Sequence, residues 1–199
     1  MPILDIIQEP NKILRAKAEI VNPEKIQLGE LKKLILDMSD TLYSIDVGVG
    51  LAAPQIGRNL QIFLVSEEAA LTKRNQEKPD LEELKKSKAS QKWKHLVFIN
   101  PKIIKSSKKR NILPEGCLSV NDPKGRIIFG KVPRAEKITV EALDQNGKKI
   151  KIGAKGLFAQ VIQHEFDHLN GVLFIDRAIE IRKISKEEVK EKQTKEKQP

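Results

Sequence analysis

The run His164-Glu165-Phe166-Asp167-His168 constrains this chain more than any other feature. Residues four apart are neighbours on one face of an α-helix, so the spacing predicts a helix that presents two imidazoles side by side. Gly156 opens that helix, which runs to about Asn170, and Gly171 closes it as C-cap. Two imidazoles in this register can bind one metal ion. Glu165 lies about 100° round the helix, close enough to carry protons for water at the ion without being a ligand. Leu157 and Val161 share the histidine stripe by helical angle, as pocket lining, as core, or as both.

Two histidines do not complete a catalytic metal site, for which three protein ligands are usual. The chain has three histidines and one cysteine. His95 adjoins a charged segment and reads as a surface residue. Cys117 lies in Glu115-Gly116-Cys117-Leu118-Ser119, where the glycine permits a tight turn. A lone cysteine is more often a small buried hydrophobe than a ligand. Many HExxH peptidases instead take the third ligand from a downstream acid. Glu187 and Glu188 stand at a plausible distance, although Ser185–Lys190 has the pattern of a solvated helical face. Spacing alone leaves both sources open.

Composition narrows the class. A chain of 199 residues is expected to form one domain with its own core. The single cysteine rules out an internal disulfide framework. No apolar run approaches the roughly 18 residues of a membrane span. Met1-Pro2-Ile3-Leu4-Asp5 lacks the order of a secretory signal, so a reducing, cytoplasmic setting is expected. Lysine and arginine number 37 against 27 acids, a net charge of +10, which favours polyanions. One Trp, one Tyr and six Phe offer little for stacking bases, so sequence-specific nucleic-acid recognition is not expected.

Along the chain, Asn11–Ala18 reads as a short helix between Pro10 and Pro23. Leu31, Leu34, Ile35, Met38 and Leu42 mark a stronger helix over 29–45. A glycine-bearing loop, Gly48-Val49-Gly50, leads to a strand over Leu60–Val65. Residues 67–94 are rich in lysine and glutamate and read as a solvated insertion, with a helical turn or two near Leu81–Lys86. Strands follow over 96–105, with Pro101 at an edge or bend, then over Arg126–Phe129 and Lys137–Leu143. Gln145-Asn146-Gly147 joins the last of these to Lys148–Ile152 as a hairpin. A final charged helix is expected from near Arg177. This order suggests an α+β domain with a mostly antiparallel sheet.

Three segments, in order, resemble the peptide deformylase family: Gly48-Val49-Gly50-Leu51-Ala52-Ala53-Pro54-Gln55, then Glu115-Gly116-Cys117-Leu118-Ser119, then Gln163-His164-Glu165-Phe166-Asp167-His168. The likeness runs from about Leu4 to Ile179 and includes Val132–Glu136 and Gly171–Phe174. It fails in 67–94 and in the charged tail. The expected fold is α+β: mostly antiparallel β-sheets packed around a central helix that bears the HExxH motif, with a C-terminal helix. Residues 1–180 would form a single catalytic domain and 181–199 a charged helical or disordered tail.

The resemblance implies removal of the formyl group from the N-terminal formyl-methionine of newly made peptides. It carries the metal ligands onto Cys117, His164 and His168, the proton carrier onto Glu165, and the oxyanion donors onto the Gln55 amide and the Leu118 backbone N–H. Val49 and Gly50, with Gly116, would hold the peptide in an extended pose. Leu157 and Val161 would line the methionine pocket. The implied cofactor is one divalent ion, ferrous iron before zinc or nickel. Formylated nascent peptides are the expected partners, with a ribosome contact through the basic tail and no membrane. The segment Asn121-Asp122-Pro123-Lys124-Gly125 is extra relative to the family, which leaves open whether Arg126 borders the groove. Arg134 is placed either beside Glu115 or Asp167, supporting the ligands, or on the surface. The alternatives are an HExxH peptidase that cuts internal bonds, marked by a glutamate third ligand, and a non-enzymatic RNA-associated protein.

Overall fold

The computed structural model describes residues 3–45, 48–67, 69, 95–122 and 126–184. Asn22 caps α1 (Pro23–Gln27) through the Glu24 N–H, and α2 spans Lys32–Tyr43. The strands are β1 (Gly50–Ala52), β2 (Ile62–Ser66), β3 (His95–Ser106), β4 (Arg110–Glu115), β5 (Ile127–Ala135), β6 (Lys137–Leu143) and β7 (Lys149–Lys155). Helix α3 (Gly156–His168), the short α4 (Phe174–Arg177) and β8 (Glu180–Ile184) complete the order.

All strand pairs are antiparallel. One sheet has the order β1-β2-β3-β6-β7 and the other β4-β5-β8. Alternation along β2 explains how the first sheet is used on both faces. Phe63 and Val65 join Phe98, Val140 and Ala154 against Phe158, Ala159 and Ile162 of α3. Ile62 and Leu64 point the other way and meet Ile35, Met38 and Leu42 of α2. Met38 and Leu42 are fully buried, each contributing about 1.5–3 kcal/mol by removal from water. A third cluster, Val120, Val132, Leu173 and Phe174, packs beneath the smaller sheet and takes in Cys117 at its edge. Helix α3 touches β1, β2, β6 and β7 of one sheet and β5 of the other, so the motif-bearing helix is central.

Local differences from the sequence reading have local causes. Residues 11–18 make only a 3₁₀ turn, Lys12–Arg15, capped by Asn11. Pro101 lies inside β3, an interior strand, at a register shift between Ile99 and Lys102 that absorbs the missing donor. Helix α3 ends at His168, one turn before the glycine: Leu169 is its C-cap, and Gly171, at φ +70, closes the turn against the Arg15 carbonyl. The short helix α4 already ends at Arg177, and no longer helix follows it among the described residues. Glu180–Ile184 is a strand paired with β5, so the sheet runs past the boundary drawn at residue 180. The Leu81–Lys86 turn, Pro123–Gly125 and 185–199 lie outside the described residues.

Candidate metal centre

Helix α3 delivers His164 and His168 with ring centroids 5.0 Å apart. The chain leaves β4 at Glu115, turns at Gly116, and brings Cys117 over the same helix face. Cys117 Sγ is 3.2 Å from His168 Nε2. One donor atom from each of Cys117, His164 and His168 lies within 4.8 Å of the others. No other group of three His, Cys, Asp or Glu side chains among the described residues meets this condition. Glu187 and Glu188 lie outside those residues.

The donors are held from behind. His164 Nδ1 is 3.0 Å from Glu115 Oε2, which leaves Nε2 to face the thiol. Arg134 grips Glu115 through two bonds of 2.8 Å and reaches Asp167 with a third. Asp167 also accepts two bonds from Arg177. Arg134 therefore pairs with both carboxylates between which the sequence reading left a choice. Gln160 donates to the Pro114 carbonyl, and the Gln163 amide clamps both backbone groups of Ala135. Burial raises the Glu115 pKa, but the Arg134 guanidinium and His164 outweigh it and hold the carboxyl at about 2.

Glu165 is buried, and its Oε2 has no partner among the described residues. Burial pushes its pKa up to about 7, with neighbouring His164 pulling the other way. Burial also opposes charge on His164, yet Cys117, Glu115 and Glu165 hold that imidazole well above its usual range. His168 is pushed well below its range by burial, by His164 and by Arg134. The donor set fits a divalent cation: one thiol, two imidazoles, a ligand ring oriented by a carboxylate, and an unsatisfied carboxyl alongside.

Gln55 is 2 % exposed, in the 3₁₀ turn Ala53–Ile56. Its Oε1 accepts from the Ala52 N–H at 2.8 Å, which turns its NH₂ toward Cys117 Sγ (3.6 Å) and Ser119 Oγ (3.3 Å). Leu118 is half-buried, and its carbonyl accepts from Gln8. Val49 packs at the rim of the main core, and its carbonyl accepts from Ser66. Gly50 opens β1 against α3: a Cβ there would stand 2.4 Å from Glu165 Oε1 and 2.9 Å from its Cγ. Gly50→Ala should therefore displace the carboxylate and lower kcat by about 10²-fold, with bound metal per chain unchanged. Loss of metal in that variant would show that the strain spreads to the ligands.

Gly116 is exposed beside the Phe129 ring. Val161 is buried in the main core, and Leu157 is half-buried against it. Arg126 donates to Asp122. His95 is not a free surface residue: it is half-buried, with Nδ1 3.1 Å from Ser39 Oγ and 3.0 Å from Tyr43 OH. Arg177, Gln160 and Ser119 were not anticipated. Only Ser119 lies within a motif that the sequence marked.

Residues 3–184 match the family model for polypeptide deformylase. The chain belongs to this family. It is 39% identical over 176 residues to a peptide deformylase of Psychrobacter cryohalolentis, covering 88% of this chain and 79% of that protein. It is 41% identical over 183 residues to one of Syntrophomonas wolfei, covering 92% and 97%. The crystal structure of the Thermotoga maritima peptide deformylase superposes with a TM-score of 0.70 at 31% identity, over 90% of this chain and 100% of that one. A class I type b enzyme from Acinetobacter baumannii with Met-Ala-Ser bound gives 0.70 at 29%, over 88% and 98%. This family member is a hydrolase that removes the formyl group from newly made peptides. Cutting of internal peptide bonds is not favoured.

Proposed function

We propose that the chain deformylates N-terminal formyl-methionine, releasing formate, with one divalent cation held by Cys117, His164 and His168 and the proton carried by Glu165. The observation that carries this reading is the Cys117 thiol, 3.2 Å from His168 Nε2 on the face of α3 that also bears His164. A cation bound there supplies Lewis acidity, lowering the pKa of water toward about 7. Glu165, poised near 7 by burial, takes the proton of the attacking water and returns it to the departing amine. Negative charge grows on the formyl oxygen as the carbon becomes tetrahedral. The Gln55 amide and the Leu118 N–H are the donors proposed for it; losing one such donor typically costs about 10²–10³ in rate.

Strand β1 is an edge of its sheet, so Val49 and Gly50 offer backbone to an extended peptide, with Gly116 opposite. Leu157 and Val161 are proposed to meet the methionine side chain, on the helix stripe that carries the ligands. The metal is read as ferrous iron, as the family resemblance implies. The donor set also suits zinc and nickel, and its thiolate is the part most open to oxidation. The same proposal treats the described residues as one catalytic domain, extended to Ile184 by the pairing of β8. It also places the enzyme in the reducing cytoplasm and gives the tail a contact with the ribosome.

The direct test compares formyl-Met-Ala-Ser with its acetylated twin, using protein purified without oxygen. Formate should be released from the first, and acetate from the second at less than about one-hundredth of that rate, the extra methyl group setting the two caps apart. Equal turnover of both, or cleavage of the Met-Ala bond, would overturn the assignment.

A further inference from the structure

The two charged stretches do not account for the charge of the protein. Residues 67–94 hold eight basic side chains against six acidic, and the tail 181–199 holds seven against four, so together they supply only half of the net charge of +10. Much of the remainder collects on one face of the five-stranded sheet. Opposite partners in an antiparallel pair point to the same side, and so do residues two apart along a strand. Lys137 faces Lys155, Glu141 faces Lys151, and Leu143 faces Lys149 across β6 and β7. Lys102 lies opposite Glu141 and Lys105 opposite Thr139 across β3 and β6. Ile138, Val140, Ala142 and Ala154 point the other way, into the core.

Six exposed lysines, Lys102, Lys105, Lys137, Lys149, Lys151 and Lys155, thus share this face with one acid, Glu141, which is bound to Lys151 at 3.0 Å. None of the other five has a carboxylate partner among the described residues. The same face of β1 and β2 is covered by α2, whereas at β6 and β7 nothing among the described residues covers it. A shallow groove of about 360 Å³ runs between Lys102, Glu141, Leu143, Lys149 and Lys151.

We infer that this lysine face docks the phosphate backbone of duplex RNA. Like charges gathered on a bare sheet repel one another, and a polyanion relieves this while releasing its counterions. The outward positions hold lysine, threonine, glycine and glutamate, and Leu143 is packed into the second core. That leaves no aromatic platform for single-stranded bases and no helix with an apolar face to enter a lipid surface. The β7 row from Lys149 to Lys155 spans about 20 Å, and the three strands span about 10 Å, enough to meet several phosphates. The choice of RNA over another polyanion rests on the proposed substrate, the end of a newly made peptide, which is made by an RNA-rich particle.

The test measures binding of a fluorescent RNA duplex of ~18 base pairs to the full metal-loaded chain, at about 50 and about 200 mM KCl. Wild-type protein should bind and lose about 10²-fold in affinity between the two. Replacing Lys102, Lys105, Lys149 and Lys151 together with Gln should weaken binding at low salt at least about 30-fold. It should also reduce the salt slope by about 3, close to one for each phosphate that the variant leaves unneutralised. Replacing Lys12, Lys17, Lys25 and Lys32, which removes the same charge elsewhere, should cost less than about threefold. Formyl-tripeptide turnover should stay within about twofold in both variants, which shows that each is folded and loaded.

Equal losses in the two variants would reduce the effect to net charge and overturn the inference. So would absence of duplex binding by the wild type, or tighter binding to phosphatidylserine vesicles than to duplex RNA. A wild-type chain that binds duplex RNA but releases no formate would instead overturn the proposed reaction.

Discussion

Glu165→Gln is expected to lower kcat on formyl-Met-Ala-Ser by about 10³–10⁴ while metal per chain stays at the wild-type level. The substitution keeps the volume of a buried side chain packed against Gly50, so the helix and its ligands have no reason to move. What it removes is the capacity to take up and return a proton. The carboxyl is suited to that work: burial raises its pKa to about 7, and Oε2 has no partner among the described residues to hold it in one protonation state. Formate release and metal analysis on the same preparation decide the matter. A variant that lost its metal as well would show Glu165 to be a ligand and remove it from the role of proton carrier.

The second large effect falls on Cys117. Cys117→Ala should strip the site, because two imidazoles remain where three donors converged. The loss of metal affinity should exceed the roughly 10–100-fold that follows removal of a supporting group behind a ligand. Turnover should fall with the metal and not return on adding moderate excess ion. Glu188→Ala, by contrast, should leave both metal and turnover near wild type. The reverse pattern would transfer the third-ligand role to the downstream glutamate and favour the peptidase reading. Metal content measured on protein kept from oxygen separates the two outcomes without an activity assay.

Elements governed by short-range rules were legible before any coordinates. Asn146-Gly147 does turn a hairpin: Gly147 has φ +78, and the Asp144 N–H donates to the Lys148 carbonyl at 2.9 Å. The apolar spacing of Leu31 to Leu42 does produce a helix with Ile35, Met38 and Leu42 buried. Strand β4 was not among the strands read from the sequence, because Arg110–Glu115 alternates weakly and contains Pro114. Strand β8 was read as helix because Glu180–Ile184 is short and charged. Its conformation comes from pairing with β5, some fifty residues away in the chain. Arg177 shows the same limitation at the site, since nothing near it in sequence marks a partner. Its two bonds to Asp167 exist because Leu173–Arg177 folds back over the end of α3.

The sequence by itself determined the pair of imidazoles and the carboxylate beside them, since the pitch of an α-helix converts a four-residue spacing into one face. Through its three motifs it also pointed to the family. Only the tertiary structure brings the Cys117 thiol beside the pair, turns His164 by its bond to Glu115, and takes Glu165 out of solvent. Those outcomes depend on pairings between residues about 50 positions apart in sequence, such as Cys117 with His168 and Glu115 with His164. Such pairings form only when two sheets close around one helix, and no local preference encodes that closure.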